Sequence, residues 1–338
     1  MIHRVGFACK YMHSERNLKP KILKEYEQPL NFRATTIKWL RENQDAAQER
    51  VYEIVEHNLS ATERLVDYVS SLPLSQRMLR LGSDILPAYT EQNFSYLTKT
   101  NYITDLIATR LSNIGNKARE NNVRLSMHPG QFTVLASDRP EVVENSIKEF
   151  EYHVDIARWM GYGNTFQDFK INVHISGRQG PAGIKAVLPR LSQEARNTIT
   201  IENEENSWGL DSCLELADVV PIVLDIHHHW CHSGGEYIDP SDDRVKRVID
   251  SWRGVRPTMH YSVSREEYLG DHEKTRRPNF KLLLEQGYKK AKLRAHSDYM
   301  WNSAVNEWAG SFRRHFDIMV ESKMKNLASI PFEEETRV

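Results

Sequence analysis

The chain has 338 residues, with 45 Lys+Arg against 46 Asp+Glu and a formal net charge of -1. That balance excludes a binder working through a large global positive charge, and a hydrophobic content of 40% excludes a disordered chain. The unusual count is His, 14 residues against 3 Cys. From the N-terminus onward, short apolar runs alternate with amphipathic stretches. Strands are expected at Arg4–Cys9, Met78–Gly82, Arg124–His128, Lys170–Ile175, Thr198–Glu202, Ile222–Ile226, Thr258–Ser262 and Asp317–Glu321. Several are rich in Val and Ile, as buried parallel strands are. Apolar residues at helical spacing predict helices over Asp45–Ser71, Tyr102–Glu120 and Pro140–Met160. Asp138 is the expected N-cap of the last, with Pro140 in its first turn.

A polar insert at about 263–295 breaks the rhythm. It carries Arg276, Arg277, Lys289, Lys290, Lys292 and Arg294 and is expected to hold a helix near Asn279–Lys289. Residues from Pro331 onward are acidic and expected to fray. Eight strands alternating with helices predict an α/β fold, a closed parallel TIM (β/α)8 barrel as a single domain over 1–325, with 326–338 as a C-terminal tail. An open doubly wound sheet is the alternative, weakened because no G-x-G-x-x-G turn follows the first strand. The N-terminus has no signal-peptide stretch, and no run of 18 apolar residues occurs. Cys9, Cys213 and Cys231 form no C-x-x-C pair. A soluble cytoplasmic protein without disulfides or a membrane partner is therefore expected.

The ends of the predicted strands carry the chemistry. They read His128, His174, Glu202, Asp225, His260 and Glu321, with His228 three residues after Asp225 and His296 in the loop before the last strand. In a barrel all these ends lie on one face. One His at a strand end is ordinarily a hydrogen-bonded core residue, but six consecutive strand ends of this kind would be costly to bury unpaired. Divalent cations neutralise such a set. Mixed His and carboxylate donors without Cys suit Mn²⁺ first, with Zn²⁺ or Mg²⁺ as alternatives, and there are enough ligands for two or three ions. That number favours phosphodiester hydrolysis, with Glu202, Asp225 and Glu321 as its carboxylates and an activated water as nucleophile. His227, His229 and His232 are expected to face solvent or to lie behind the ligands.

The stretch His128-Pro129-Gly130-Gln131-Phe132, with Ser137 and Pro140-Glu141-Val142-Val143, resembles the UV damage endonucleases. So do Arg4-Val5-Gly6-Phe7-Ala8-Cys9, Arg80-Leu81-Gly82-Ser83-Asp84 with Pro87, His174-Ile175-Ser176-Gly177 and Glu202-Asn203-Glu204-Glu205. Asp225-Ile226-His227-His228-His229, Pro257-Thr258-Met259-His260-Tyr261-Ser262, His296-Ser297-Asp298-Tyr299 and Met319-Val320-Glu321-Ser322-Lys323 continue the likeness in order. The resemblance implies a TIM barrel with a three-metal site, related to that of the endonuclease IV group. It implies ATP-independent cleavage 5′ to cyclobutane pyrimidine dimers and 6-4 photoproducts, leaving a 3′-hydroxyl and a 5′-phosphate, with abasic sites also accepted. By motif position it assigns His128, His174 and Glu202 to one ion, Glu202, Asp225, His260 and Glu321 to a second, and His228 and His296 to a third.

The partner implied is double-stranded DNA bearing UV lesions, with no obligatory protein partner and a nucleoid association if the source is bacterial. Gln131 and Phe132 would then probe the lesion, with Phe7 and Tyr11 lining the same groove. On the residues alone, the favoured readings are Phe132 as a loop-anchoring core residue, Gln131 as a turn cap and Phe7 as barrel core. The basic insert reads as a phosphate-contacting surface or as a solvated helix face. Phe7, Phe132 and Thr258 depart from the family pattern, which often has Tyr, Tyr and Lys there. A divalent-metal sugar isomerase, an abasic-site endonuclease and a damage sensor without chemistry are the competing readings.

Overall fold

The computed structural model describes residues 2–337. Its strands are β1 (Val5–Ala8), β2 (Met78–Leu81), β3 (Arg124–Met127), β4 (Lys170–His174), β5 (Ile199–Glu202), β6 (Ile222–Val223), β7 (Thr258–Tyr261) and β8 (Asp317–Val320). They form one sheet in the order β6-β5-β4-β3-β2-β1-β8-β7, and every pairing is parallel. The two ends of the sheet meet where the His260 N–H donates to the Leu224 carbonyl at 3.0 Å and Asp225 bridges to His260. The expected TIM barrel is thus present. β6 is shorter than Ile222–Ile226 because Ile226 already opens a helix, Ile226–Ser233, whose first turn is capped by the Asp225 side chain.

Helices cover the outside of the barrel. In the helix Asn101–Glu120, Ile103, Ile107, Leu111, Ile114 and Ala118 recur every third or fourth residue, and all are buried. A side chain at Gly115 would meet the Met160 carbonyl oxygen at 2.0 Å, so glycine is what lets this helix close on the next. The helix Pro140–Trp159 starts as expected at Pro140, but Asp138 does not cap it. The N-cap position falls on Arg139, and Asp138 pairs with Arg178 at 3.3 Å instead.

The expected frayed end is a helix, Asn326–Glu335. Phe332 packs on Tyr261 with ring centroids 5.0 Å apart, and the buried Glu333 pairs with Arg313 at 3.0 Å. An acidic composition suggests a solvated tail, but these two contacts tie it down. The insert holds two short helices, Phe280–Glu285 and Lys290–Leu293. Phe280, Leu283, Leu293 and Leu269 form a small core of their own against Trp230 and Cys231.

Inside the barrel, side chains are stacked in layers. At the start of β8, Asp317 is buried and accepts Arg124 Nη1 at 2.7 Å, Arg256 Nε at 2.7 Å and the Arg4 amide at 2.9 Å. Ala8, Met78 and Met319 form a thin apolar layer above it. Truncating Asp317 would leave these arginines facing one another without an anion. Asp317→Ala is expected to cost about 3–5 kcal/mol in urea unfolding while leaving metal content unchanged. An unaltered unfolding midpoint would show that the layer does not depend on this carboxylate.

Candidate metal centre

Glu202, the last residue of β5, is fully buried at the centre of the barrel mouth. Three imidazoles from three other elements surround it. His128 Nε2 lies 3.2 Å from its Oε2 and His174 Nε2 lies 3.9 Å from the same oxygen. His260 Nδ1 lies 3.0 Å from Oε1. Two of the rings are aimed by a second bond. His128 Nδ1 donates to the Pro129 carbonyl at 2.8 Å, which leaves Nε2 as the lone-pair nitrogen facing Glu202. His260 Nε2 meets Lys170 Nζ at 2.9 Å. Asn172 donates its amide to Glu202 Oε2, and Arg80 pairs with Glu321.

Ligand atoms fall into three groups, each within 4.8 Å: His128, His174 and Glu202; Glu202, Asp225 and His228; and Asp225, His260 and Glu321. His296 belongs to none of these groups, and its Nδ1 stands 3.8 Å from Glu321 Oε2. The expected strand-end residues are therefore gathered at one place, with His296 at the rim.

Electrostatics explains why carboxylates survive here. Burial opposes the Glu202 carboxylate, but His260, His174 and His128 outweigh it and hold the group well below the usual range. For Glu321 the same burial cost is overcome by Arg80 and then His260. Asp225 goes the other way, pushed well above the usual range by burial against the pull of His228. Burial disfavours the His228 imidazolium, yet Asp225, Glu202 and Glu205 push it up to about 9. Asp225 Oδ2 is buried with no hydrogen-bond partner among the described residues. An orphaned carboxylate oxygen, a second shared carboxylate and lone-pair imidazole nitrogens, with no thiolate, fit a divalent cation.

The remaining expected residues are spread more widely. Phe132 is 85% exposed, which rules out a loop-anchoring role. Gln131 lines a cavity of about 170 Å³ together with His174, Glu204, Glu205 and His228. Phe7 is a correction. It is 1% exposed and packs edge-on against Tyr68 at 6.3 Å, in the helical layer behind β1, so it lines no groove. Tyr11 is half-buried against the same Tyr68 at 4.9 Å. His227 and His229 are buried rather than facing solvent, His229 pairing with Glu236 at 2.9 Å, while His232 is exposed.

Sequence reasoning missed Lys170, Asn172 and Arg80 as parts of the site. A signal was available: Lys170, Asn172 and His174 alternate along β4, and polar side chains at every second position of a buried strand mark its barrel-facing side.

Burial pushes Asp225 upward and the surrounding carboxylates push His228 up to about 9, so a cation entering this cluster competes with protons for these groups. Both groups are shifted upward, so the bound protons compete more strongly as pH falls. Mn²⁺ affinity measured by calorimetry is expected to rise between about pH 6 and pH 8, with net proton release seen as a dependence of the heat on buffer ionisation. A pH-independent affinity would exclude Asp225 and His228 from the binding step.

The family model for UV-endonuclease UvdE matches residues 3–335. A UV DNA damage endonuclease of Bacillus mycoides (strain KBAB4) is 26% identical over 313 residues, covering 88% of this chain and 86% of its own length. One from Bacillus cereus (strain Q1) is 27% identical over 302 residues, covering 84% of this chain and 82% of its own. The crystal structure of SacUVDE superposes with a TM-score of 0.72 at 22% identity, over 98% of this chain and 96% of that one. Endonuclease IV from Thermus thermophilus shares the fold at a TM-score of 0.54 and 12% identity, over 82% of this chain and 93% of that one. A match across nearly the whole chain, with the cluster of buried ligands at the barrel mouth, places this chain in the UV-endonuclease UvdE family.

Proposed function

We propose that the protein is a UV-damage repair endonuclease that nicks duplex DNA immediately 5′ to cyclobutane pyrimidine dimers and 6-4 photoproducts, and at abasic sites, leaving a 3′-hydroxyl and a 5′-phosphate. One juxtaposition supports this most. The buried Glu202, ringed by imidazoles, sits next to His128, and four residues beyond His128 the ring of Phe132 stands in solvent. A hydrolytic centre at a barrel mouth needs no such exposed aromatic for a small substrate. A duplex whose lesion must be pulled from the stack does.

Bound divalent ions, Mn²⁺ foremost, would supply Lewis-acid activation of water and charge neutralisation at the phosphate. His128, His174, Glu202, Asp225, His228, His260, His296 and Glu321 would hold them. The chain's own residues do the rest. Lys170 and Asn172 hold His260 and Glu202 in register, and Arg80 does the same for Glu321. Gln131 and Phe132 fill the space vacated by the extruded lesion, where damaged bases cost less to unstack. Arg276, Lys289 and Lys290 of the insert contact phosphates. On this reading the enzyme works without ATP and without an obligatory protein partner.

Incubating the protein with Mn²⁺ and a UV-irradiated end-labelled duplex tests the reading. A nick 5′ to the lesion is expected, and chelator should abolish it. An intact duplex, with turnover of an aldose instead, would sink the proposal in favour of a sugar isomerase. Glu202→Ala is expected to remove nicking while circular dichroism stays unchanged. Phe132→Ala is expected to lower the preference for damaged over undamaged DNA by about tenfold, the scale of one lost base–aromatic stack. An unchanged preference would remove Phe132 from lesion recognition.

A further inference from the structure

His228 is buried, and the roles of its two nitrogens are separable. Nδ1 lies 3.0 Å from the Asn203 carbonyl, which can only accept, so Nδ1 carries the proton of the neutral ring. Nδ1 is also the nitrogen nearest Glu202, at 3.5 Å, and Asp225, at 3.7 Å. The lone pair is therefore on Nε2, and Nε2 turns away from those carboxylates. It faces Glu205 Oε2 at 3.8 Å. That separation is too long for a hydrogen bond, and two coordination bonds of about 2.1 Å each can span it.

His296 completes the surroundings. Its ring centroid is 6.1 Å from that of His228, and Glu205 is close enough for its charge to act on both rings. The other oxygen of Glu205 is held by Arg294 Nη1 at 3.5 Å. Arg294 sits two residues before His296 in the chain, so one segment fixes both the imidazole and the carboxylate. Glu205 and His228 both open onto the cavity of about 170 Å³ that Gln131 also lines.

We infer that Glu205 supplies the carboxylate ligand of an outer cation site that it shares with His228 and His296, and that Arg294 is the positioning residue that aims it. The inference rests on the cluster being a divalent-cation centre. It does not depend on what the enzyme cleaves. A carboxylate is what two neutral imidazoles lack, since a divalent ion held by them alone would keep its full double charge in a half-buried mouth. It also gives the outer ion a ligand from the β5 loop, three residues from the Glu202 that serves the inner ions. The two sites are thus set on one rigid turn, anchored by Asn203, which receives the Asp225 amide at 2.9 Å.

Titrating metal-stripped full-length protein with Mn²⁺ alone, followed by elemental analysis after gel filtration, reads this without DNA or turnover. Wild type is expected to show an outer class of sites weaker than the inner one. Glu205→Gln and His296→Ala should each weaken that outer class by about tenfold or more, and leave the inner class untouched. Glu205→Asp should fall between wild type and Glu205→Gln. Glu205→Gln binding like wild type while His296→Ala loses the outer ion would overturn the role of Glu205. So would the loss of every ion in Glu205→Gln, or a wild type with one class of site. Circular dichroism of each variant separates ligand loss from unfolding. Failure of UV-duplex nicking with this metal pattern intact would count against the proposed function and not against the outer site.

Discussion

The constraint on which the rest depends is that Glu202 must stay ionised where no water reaches it. Hydration normally supplies several kcal/mol to a carboxylate, and here the protein replaces it with His128, His174 and His260, drawn from three different strand ends, and with the amide of Asn172. Those groups must stand within a few ångströms of one point. A closed barrel meets that demand, because the parallel register of β3, β4, β5 and β7 brings four strand ends to the same height. The helical shell, the interdigitated apolar residues and the charged layer at the floor all serve to hold that height fixed.

Charge is distributed through the barrel interior. Asp317 with its arginines lies at the start of β8, Ala8, Met78 and Met319 form a small apolar cluster inside the barrel, Lys170 and Arg80 are set among them, and Glu202, Asp225 and Glu321 lie at the strand ends. Lys170 is pulled down to about 7, burial being the chief cause. A cation kept so close to neutral is a flexible partner for His260, whose own imidazole is lowered to about 4 by burial against the opposing charge of Glu202. The near-zero net charge of the chain hides this organisation completely.

Much of the fold and of the site was legible in the sequence, for a physical reason. Parallel barrel strands are apolar in their middles and carry candidate functional groups at their C-terminal ends, so a Val- or Ile-rich run stopping at His, Glu or Asp announces both the strand and a place in the cluster at the barrel mouth. His128, His174, Glu202, Asp225, His260 and Glu321 were readable in that way. What was not readable depended on tertiary partners. Nothing local shows that Phe332 and Glu333 would find Tyr261 and Arg313, or that Asp138 would prefer Arg178 to the helix it precedes. The burial of His227 depends on the insert packing against the helix that carries it, and that of His229 on its pairing with Glu236. Phe7 was ambiguous between groove and core because a strand alternates sides, and only the partner Tyr68 decides which side is which.

One feature of the sheet bears on more than catalysis. The pair β6–β7 is the shortest junction of the barrel, and it is laced by the Leu224 carbonyl, the His260 amide and the Asp225–His260 bridge. Both residues of that bridge also belong to a group of side chains that could hold a cation. The seam, made by backbone atoms, and the candidate metal centre, made by side chains, therefore share residues, and an ion held there would tie the adjoining edges of the sheet together. A cation bound at that point would bear on the closure of the cylinder as well as on the chemistry at its mouth, because whatever binds only the folded state stabilises it.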